Sequence, residues 1–299
     1  MIQNPISYPG NKNKLLKEII PLFPRDIDTF FDVFCGSGVV GVNSKAQTIY
    51  CNDYNPYTIE VLQYFYDNTF ETIIQQLEQI ITKYNLTYSR TKPKGTYIEY
   101  KHEGLSLYNK TGYNQLKADY NAHHTTDKLV VLLIYGFNHY LRFNSNGEFN
   151  VPVGKVDLSQ SIYNNLQMFV KGIKDKTIIT STFDFREPQI YRQQNALYYF
   201  DPPYLITTAP YNIQWGISEE RALLDILDCL NAENKHFALS NVFLSNGKEN
   251  LLLKQWAAKY NVHYLKRQYR NANYQKINIT DTIEVLITNY GNSRQQKRL

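Results

Sequence analysis

The sequence predicts an α/β protein, a mainly parallel sheet interrupted by a mainly helical insertion. Three observations predict it. Short β-prone runs occur near both ends of the chain, several of them ending in glycines or an acidic residue. Apolar residues at helical spacing lie between the first of these runs. The alternation stops near residue 70 and resumes near residue 159, so the strands on both sides belong to one discontinuous domain.

Thr29–Phe34 (TFFDVF) reads as the first strand and runs into Cys35-Gly36-Ser37-Gly38, after which Val39-Val40-Gly41-Val42 opens a helix. Thr48–Cys51 (TIYC) is the second strand and ends in Asn52-Asp53. Pro56 stands at the favoured first position of a helix that carries Ile59, Leu62, Phe65 and Tyr66. Ile73, Ile74, Leu77, Ile80 and Ile81 predict another helix over 70–84. Residues 86–112 are polar, tyrosine-rich and broken by Pro93 and Gly95, so they read as irregular. Lys128–Leu141 reads as a buried helix, and Asn144 to Gly154 (NSNGEFNVPVG) as a hairpin around its Asn-Gly turn. Strands resume at Thr177–Thr180, Leu197–Phe200, His236–Leu239 and Glu284–Thr288. The expected division is 1–69 with 159–299 as one domain and 70–158 as the inserted one.

The chain has 299 residues, 43% hydrophobic and 14% aromatic, which is enough apolar material for a sizeable core and excludes general disorder. Its longest apolar stretch, Leu129–Phe137, has nine residues, against about 20 for a membrane span. The N-terminus (MIQNPISYPGNK) lacks the charged-then-apolar pattern of a secretion signal. Cys35, Cys51 and Cys229 are too few and scattered for a disulfide framework or a zinc site, so no metal is expected. These features predict a cytoplasmic protein with no membrane partner. The net charge of +5 sits wholly in the last 39 residues, where seven basic residues face Asp281 and Glu284. A basic end on a neutral body is compatible with a polyanion such as nucleic acid, and equally with a solvated tail.

Two motifs carry chemistry. Asp32-Val-Phe-Cys-Gly-Ser-Gly38 follows a strand and opens a helix, and its glycines permit a tight turn and close backbone approach by a ligand. Asp53, at the end of the next strand, can accept hydrogen bonds from two ribose hydroxyls. The turn is shorter than G-x-G-x-x-G, which favours a nucleoside ligand without phosphates over a dinucleotide. The second motif, Asp201-Pro202-Pro203-Tyr204, follows the apolar run LYYF. Two prolines fix a rigid corner in which the Asp201 carboxylate and the Pro202 carbonyl can each accept one hydrogen of a planar amine. Tyr204 offers a face for stacking the amine's ring. Beside chemistry on such an amine in DNA, three other classes of function stay open at this point. They are methyl transfer to an RNA base or an amide, non-catalytic nucleic-acid binding, and nicotinamide-dependent oxidoreduction, which has no use for the proline corner.

With Tyr8-Pro-Gly-Asn-Lys12 ahead of them and FNSNGEFNVPVG between them, these motifs stand in the order found in Dam-type (alpha-class) DNA adenine-N6 methyltransferases. The resemblance runs over nearly the whole chain, through Ser240-Asn241 to Glu284-Val-Leu-Ile-Thr288, and looks closest to the small phage-type Dam enzymes. It implies a Rossmann-like methyltransferase sheet, S-adenosyl-L-methionine as methyl donor, and a target-recognition region in the insertion. By resemblance, Tyr8 and Lys12 contact the cofactor, with Lys12 suited to its terminal carboxylate. Gly36 and Gly38 line its methionine moiety, Asp53 holds the ribose, Asp184 and Phe185 meet its adenine, and Asp32, Phe34 and Asp201 are further cofactor contacts. Asp201, Pro202 and Tyr204 would hold the target adenine, flipped out of the duplex. Arg142, Asn144, Asn146 and Lys155 are the expected DNA contacts, since Arg pairs with guanine and Asn with adenine. The resemblance implies GATC or a related site; phage-type Dam enzymes carry a basic residue just beyond the hairpin where this chain has Val156, a departure that leaves the choice between the two open. A monomer suffices for such an enzyme, and a cognate restriction endonuclease is a partner the sequence leaves open.

Overall fold

The computed structural model describes residues 1–6, 10–93, 95–100, 104–207, 215–265 and 282–291. Tyr8 and the basic residues Lys266, Arg267, Arg270, Lys276, Arg294, Lys297 and Arg298 lie outside the described residues. The chain divides into two compact units: Met1, Lys12–Tyr54 and Lys176–Leu299 form the first, Ile2–Asn11 and Asn55–Asp175 the second.

The first unit begins with the short helix α1 (Leu16–Ile19), then β1 (Thr29–Asp32), α2 (Val39–Asn43) and β2 (Thr48–Asn52). Gly36 and Gly38 take φ of +51° and +71°, the left-handed region that glycine enters without steric penalty, and so turn the chain from β1 into α2. Gly41 is needed for close packing instead. A Cβ there would lie 2.7 Å from Ile49 and 3.5 Å from the Phe30 ring, so its absence lets α2 lie against the sheet.

The second unit is helical: α3 (Pro56–Asp67), α4 (Phe70–Lys83), α5 (Ser106–Ala122), α6 (Thr126–Tyr135) and α7 (Gln160–Lys174). Asn55, Thr69 and Ser159 cap α3, α4 and α7 by accepting from backbone amides of the first turn. Leu129 to Tyr135 of α6 are all buried, and no helix of the described residues is long and apolar enough to cross a membrane. Besides Ile2–Asn11, the unit takes in 55–175, wider than the expected 70–158. The reason is that α3 and α7 pack into it, the Phe65 and Phe169 rings meeting edge-on at 6.1 Å and Phe70 meeting Tyr163 at 5.0 Å.

Three local expectations are corrected. Residues 106–112 are helical, because Asn109, Gly112, Tyr113, Leu116 and Tyr120 form the buried stripe of α5. A Cβ on Gly112 would fall 1.9 Å from the Tyr84 carbonyl oxygen, so glycine here permits a backbone contact. The buried helix ends at Tyr135 rather than Leu141, because Gly136 takes an extended backbone (φ −76°, ψ 153°), and Asn138 and His139 after it adopt φ of +51° and +55°, which no right-handed helix contains. The hairpin is reduced to single antiparallel bridges, Phe143 to Phe149 and Gly136 to Val153, around a turn with Gly147 at φ +77°.

Back in the first unit the chain forms β3 (Thr177–Ser181), β4 (Ala196–Phe200), α8 (Ile217–Ala232), β5 (His236–Ser245), β6 (Lys248–Glu249), α9 (Leu251–Ala257), β7 (Asn261–Leu265) and β8 (Ile283–Thr288). The sheet runs β3-β2-β1-β4-β5-β8-β7, with β6 paired to β5. Strands β3, β2, β1, β4 and β5 are parallel, and β8 lies antiparallel between β5 and β7. On one face the Phe31 ring stacks between Tyr50 at 4.2 Å and Tyr198 at 4.8 Å, in the cluster that takes Leu223, Leu224 and Leu227 of α8 and Leu253 of α9. Some of the chain's tyrosine is core material. Tyr113, Tyr120, Tyr135, Tyr198 and Tyr199 are fully buried, and the Tyr199 hydroxyl finds its partner in Ser240 at 2.8 Å.

The strand order fixes where a ligand can sit. From β1 the chain moves outward through β2 to β3, then returns to the other side of β1 as β4. In open α/β sheets the ligand crevice lies at such a reversal, beyond the carboxyl ends of the strands. The loops leaving β1 and β4 carry the glycine turn and the proline corner.

Candidate active site

Asp32 closes β1 in register with Cys51 and Tyr199 on its two neighbours. It is buried, and neither carboxylate oxygen has a hydrogen-bond partner among the described residues; the Gly41 amide is the backbone group that favours its charge. Burial, reinforced by the nearby Asp201 and Asp53 carboxylates, holds its pKa well above the usual carboxylate range. A buried carboxylate in that condition is suited to a cationic donor such as a primary ammonium.

Asp53 leaves the end of β2 and turns onto the glycine turn, where its Oδ2 accepts the Gly36 N–H at 2.9 Å. Its own amide donates to Ser181 at the end of β3. Asn52, buried just before it, donates to the carbonyls of Val33 and Phe183 at 3.0 Å each. The ends of β1, β2 and β3 are thereby tied together under Asp53.

Asp201 leaves β4 beside this turn. Its Oδ2 lies 2.5 Å from the Lys12 Nζ, and its Oδ1 accepts the Tyr204 hydroxyl at 3.1 Å. The Lys12 ammonium also sits 5.2 Å above the Tyr204 ring centroid, a cation–π distance. Burial raises the Asp201 pKa while the Lys12 charge opposes it. Lys12 therefore keeps a half-buried carboxylate ionisable, a role the sequence did not suggest, in addition to its expected one towards a cofactor. Pro202 is buried beside Asp201 and fixes the corner.

Beyond β3, Asp184 and Phe185 are held differently. Asp184 accepts two bonds at 2.7 Å from the Arg186 guanidinium and one at 2.9 Å from its amide, which lower its pKa. Phe185 packs 5.4 Å from Phe34 and 5.3 Å from Trp215, and Phe34 meets Trp215 edge-on at 5.6 Å. Sequence reasoning placed two of these three rings and missed Trp215, whose signal was only an aromatic residue ahead of a helix. The structure thus brings together Lys12, Asp32, Phe34, Gly36, Gly38, Asp53, Phe185, Asp201 and Tyr204 at the carboxyl edge of one sheet.

The expected DNA contacts all belong to the second unit. Arg142 donates from Nε to Asn150 Oδ1 at 2.8 Å and from Nη2 to the Asn150 carbonyl at 3.1 Å. Asn144 is engaged inside the turn: its Oδ1 accepts from the Asn146 and Glu148 amides, and its Nδ2 donates to Glu148. Asn146 and Lys155 are exposed, as is Val156.

The family model of the D12 class N6 adenine-specific DNA methyltransferases matches residues 8–271 of this chain. The chain is 38% identical over 302 residues to the type II methyltransferase M.FokI of Planomicrobium okeanokoites. It is 36% identical over 304 residues to the modification methylase StsI of Streptococcus sanguinis. Each alignment covers 97% of this chain, which spans only 43% of the length of either relative. A DNA adenine methylase of Haemophilus influenzae is 23% identical over 236 residues, covering 77% of this chain and 76% of that one. The ordered motifs, the strand order and the extent of these matches agree, and the chain belongs to the D12 class N6 adenine-specific DNA methyltransferases.

Proposed function

We propose that this chain methylates N6 of an adenine flipped out of a short duplex DNA site, GATC or a related one, with S-adenosyl-L-methionine as donor. The observation that carries the reading is Asp201, fixed by Lys12 and Tyr204 beside the glycine turn at the point where the strand order reverses. The residues fit the donor: Asp32 is an orphaned buried carboxylate for its ammonium, Asp53 an acid for its ribose, and Phe34 with Phe185 an apolar wall for its adenine. When bound, the cofactor would supply an electrophilic methyl group, its S–CH3 bond breaking as the N6–C bond forms and S-adenosylhomocysteine leaving.

Asp201 and the Pro202 carbonyl accept the two amine hydrogens of the target base and so turn the N6 lone pair outward. Tyr204 receives the base on its face, a contact worth ~1–3 kcal/mol, against an unstacking cost of a few kcal/mol for flipping. As positive charge develops on N6, the Asp201 carboxylate stabilises it in a site shielded from water. No strong base is required, because the N6 proton becomes acidic only once the methyl group is attached.

Duplex DNA is the partner, read by Arg142, Asn146 and Lys155, with the second unit as the target-recognition domain. The chain acts as a cytoplasmic monomer, and the modification methylases among its relatives make a restriction endonuclease of the same specificity a natural companion. Transfer of tritium from methyl-labelled donor to duplex DNA, to RNA and to a Gln-containing peptide tests the reading. Label in DNA N6-methyladenine supports it; label in RNA or peptide alone would replace it.

A further inference from the structure

Trp215 is held more firmly than a ring that merely fills space. Its indole N–H donates to Glu220 Oε2 at 2.9 Å, and Glu220 is fully buried on α8. The other oxygen of Glu220 accepts from Asn250 at 2.9 Å, and Asn250 in turn caps α9 through the Leu253 amide. The neighbouring Gly216 amide is fixed as well, by Glu219 Oε2 at 2.9 Å. Burying a carboxylate is costly even when neutral donors surround it, and a structural tryptophan could use any backbone carbonyl. What the carboxylate adds is a strong, directional bond that sets the ring's plane.

The ring so fixed stands where a planar ligand would need it. Phe34 leads into the glycine turn after β1, Phe185 follows β3, and Trp215 precedes α8 after β4, so the three come from separate loops of the same sheet edge. They meet at 5.3–5.6 Å in tilted and edge-on pairs. Phe185 is buried, while Phe34 and Trp215 pack against the core and each keep part of their surface open.

We propose that Trp215 is a further cofactor-binding residue, one that completes with Phe34 and Phe185 an aromatic wall for the adenine ring, and that Glu220 is its positioning residue. The proposal rests on the reading of this edge as the S-adenosyl-L-methionine site. Its ligand chemistry is narrower than the whole cofactor: a purine nucleoside, independent of the amino-acid end that Asp32 and Lys12 serve.

The test is calorimetric and fluorimetric binding of S-adenosylhomocysteine and of 5′-methylthioadenosine, which lacks the amino-acid end, to the full chain. Trp256 is the other tryptophan, so Trp256→Phe leaves Trp215 as the reporter. The expected results are a change in Trp215 emission on adding either ligand, and a roughly tenfold or greater loss of affinity for both in Trp215→Ala, the size of a base–aromatic contact. Trp215→Phe keeps most of the affinity, which separates ring loss from misfolding, and Glu220→Gln weakens both ligands to an intermediate degree. Equal binding by wild type and Trp215→Ala overturns the proposal. So does a loss confined to S-adenosylhomocysteine, because it would place Trp215 away from the adenine. If the wild type binds neither ligand, the reading of the edge as a cofactor site fails instead, and this proposal goes with it.

Discussion

The carboxyl edge of the sheet and the Asn144–Gly147 turn both carry candidate functional residues, but they hold them in opposite ways. At the sheet edge each side chain leaves a buried strand and meets a partner far away in sequence: Gly36 with Asp53, Lys12 with Asp201, Asn52 with Phe183. At the turn the polar side chains are exposed and bond to neighbours two to eight residues away, as Arg142 does with Asn150 and Asn144 with Glu148. Long-range partners in low dielectric fix geometry before a ligand arrives, which is what methyl transfer requires. Local, solvated partners exchange readily for phosphates and base edges, which is what reading DNA requires. Chemistry and recognition therefore call for differently held residues, and substitutions in the two regions should fail differently.

The largest expected effect is at Asp201. Asp201→Ala should lower turnover by about 10³-fold or more, above the ~10²–10³ of a single lost electrostatic donor because the amine also loses its orientation. DNA affinity in a gel-shift titration should stay within about twofold of wild type on the same grounds, and near-normal turnover would break the mechanism. Lys12→Gln sharpens the point. Without the ammonium, burial of Asp201 is opposed only by the Tyr204 hydrogen bond, so its pKa rises further and the acid limb of the rate profile moves to higher pH. An unmoved acid limb would show that Lys12 serves only the cofactor.

Asp53→Ala should come next, raising the cofactor KM by roughly 10–100-fold, the scale of one or two charge-assisted hydrogen bonds, with DNA affinity unchanged. A KM equal to wild type would remove Asp53 from the ribose. In the turn, Arg142→Ala should weaken DNA binding by about 5–150-fold, the ~1–3 kcal/mol of one bidentate base contact, and leave cofactor affinity alone. Loss of cofactor binding in that variant would erase the contrast between the two regions.

The smallest effect concerns stability. Asp32, Asp201 and Glu220 all have pKa values raised mainly by burial. A carboxyl with a raised folded pKa keeps its proton longer in the folded chain, so the folded state binds more protons and stability falls as pH climbs above about 4. Asp32→Asn should flatten this decline and raise Tm at pH 8 by a few degrees, at about 2–4 °C per kcal/mol, while weakening cofactor binding. A melting curve as pH-dependent as wild type would show that Asp32 keeps its charge at little cost.

How much was legible in the sequence follows the same division. β1, β2 and β4 were readable because their apolar runs end in residues with special backbone or charge requirements, Gly36, Asp53 and Pro202, and those same residues belong to the candidate site. α5 was not readable, because its buried stripe is written in Asn109, Gly112 and Tyr113 rather than aliphatic residues. β7 was missed because it is a half-exposed edge strand, with Tyr264 open to solvent. α6 ends at the extended Gly136, and the left-handed Asn138 and His139 that keep the helix from resuming are announced by neither composition nor spacing. Pairings across the fold, such as Lys12 with Asp201 and Trp215 with Glu220, are set by tertiary packing and leave no local trace.

The most direct measurement is methylation of plasmid DNA by the purified chain and S-adenosyl-L-methionine, with N6-methyladenine mapped by single-molecule sequencing beside an Asp201→Ala control. Methylated adenines in one fixed sequence context, absent from the control, are the predicted result and would name the site that Val156 leaves open. An unmodified plasmid from a chain that binds the cofactor would contradict the account of Asp201 as the residue that holds a flipped adenine.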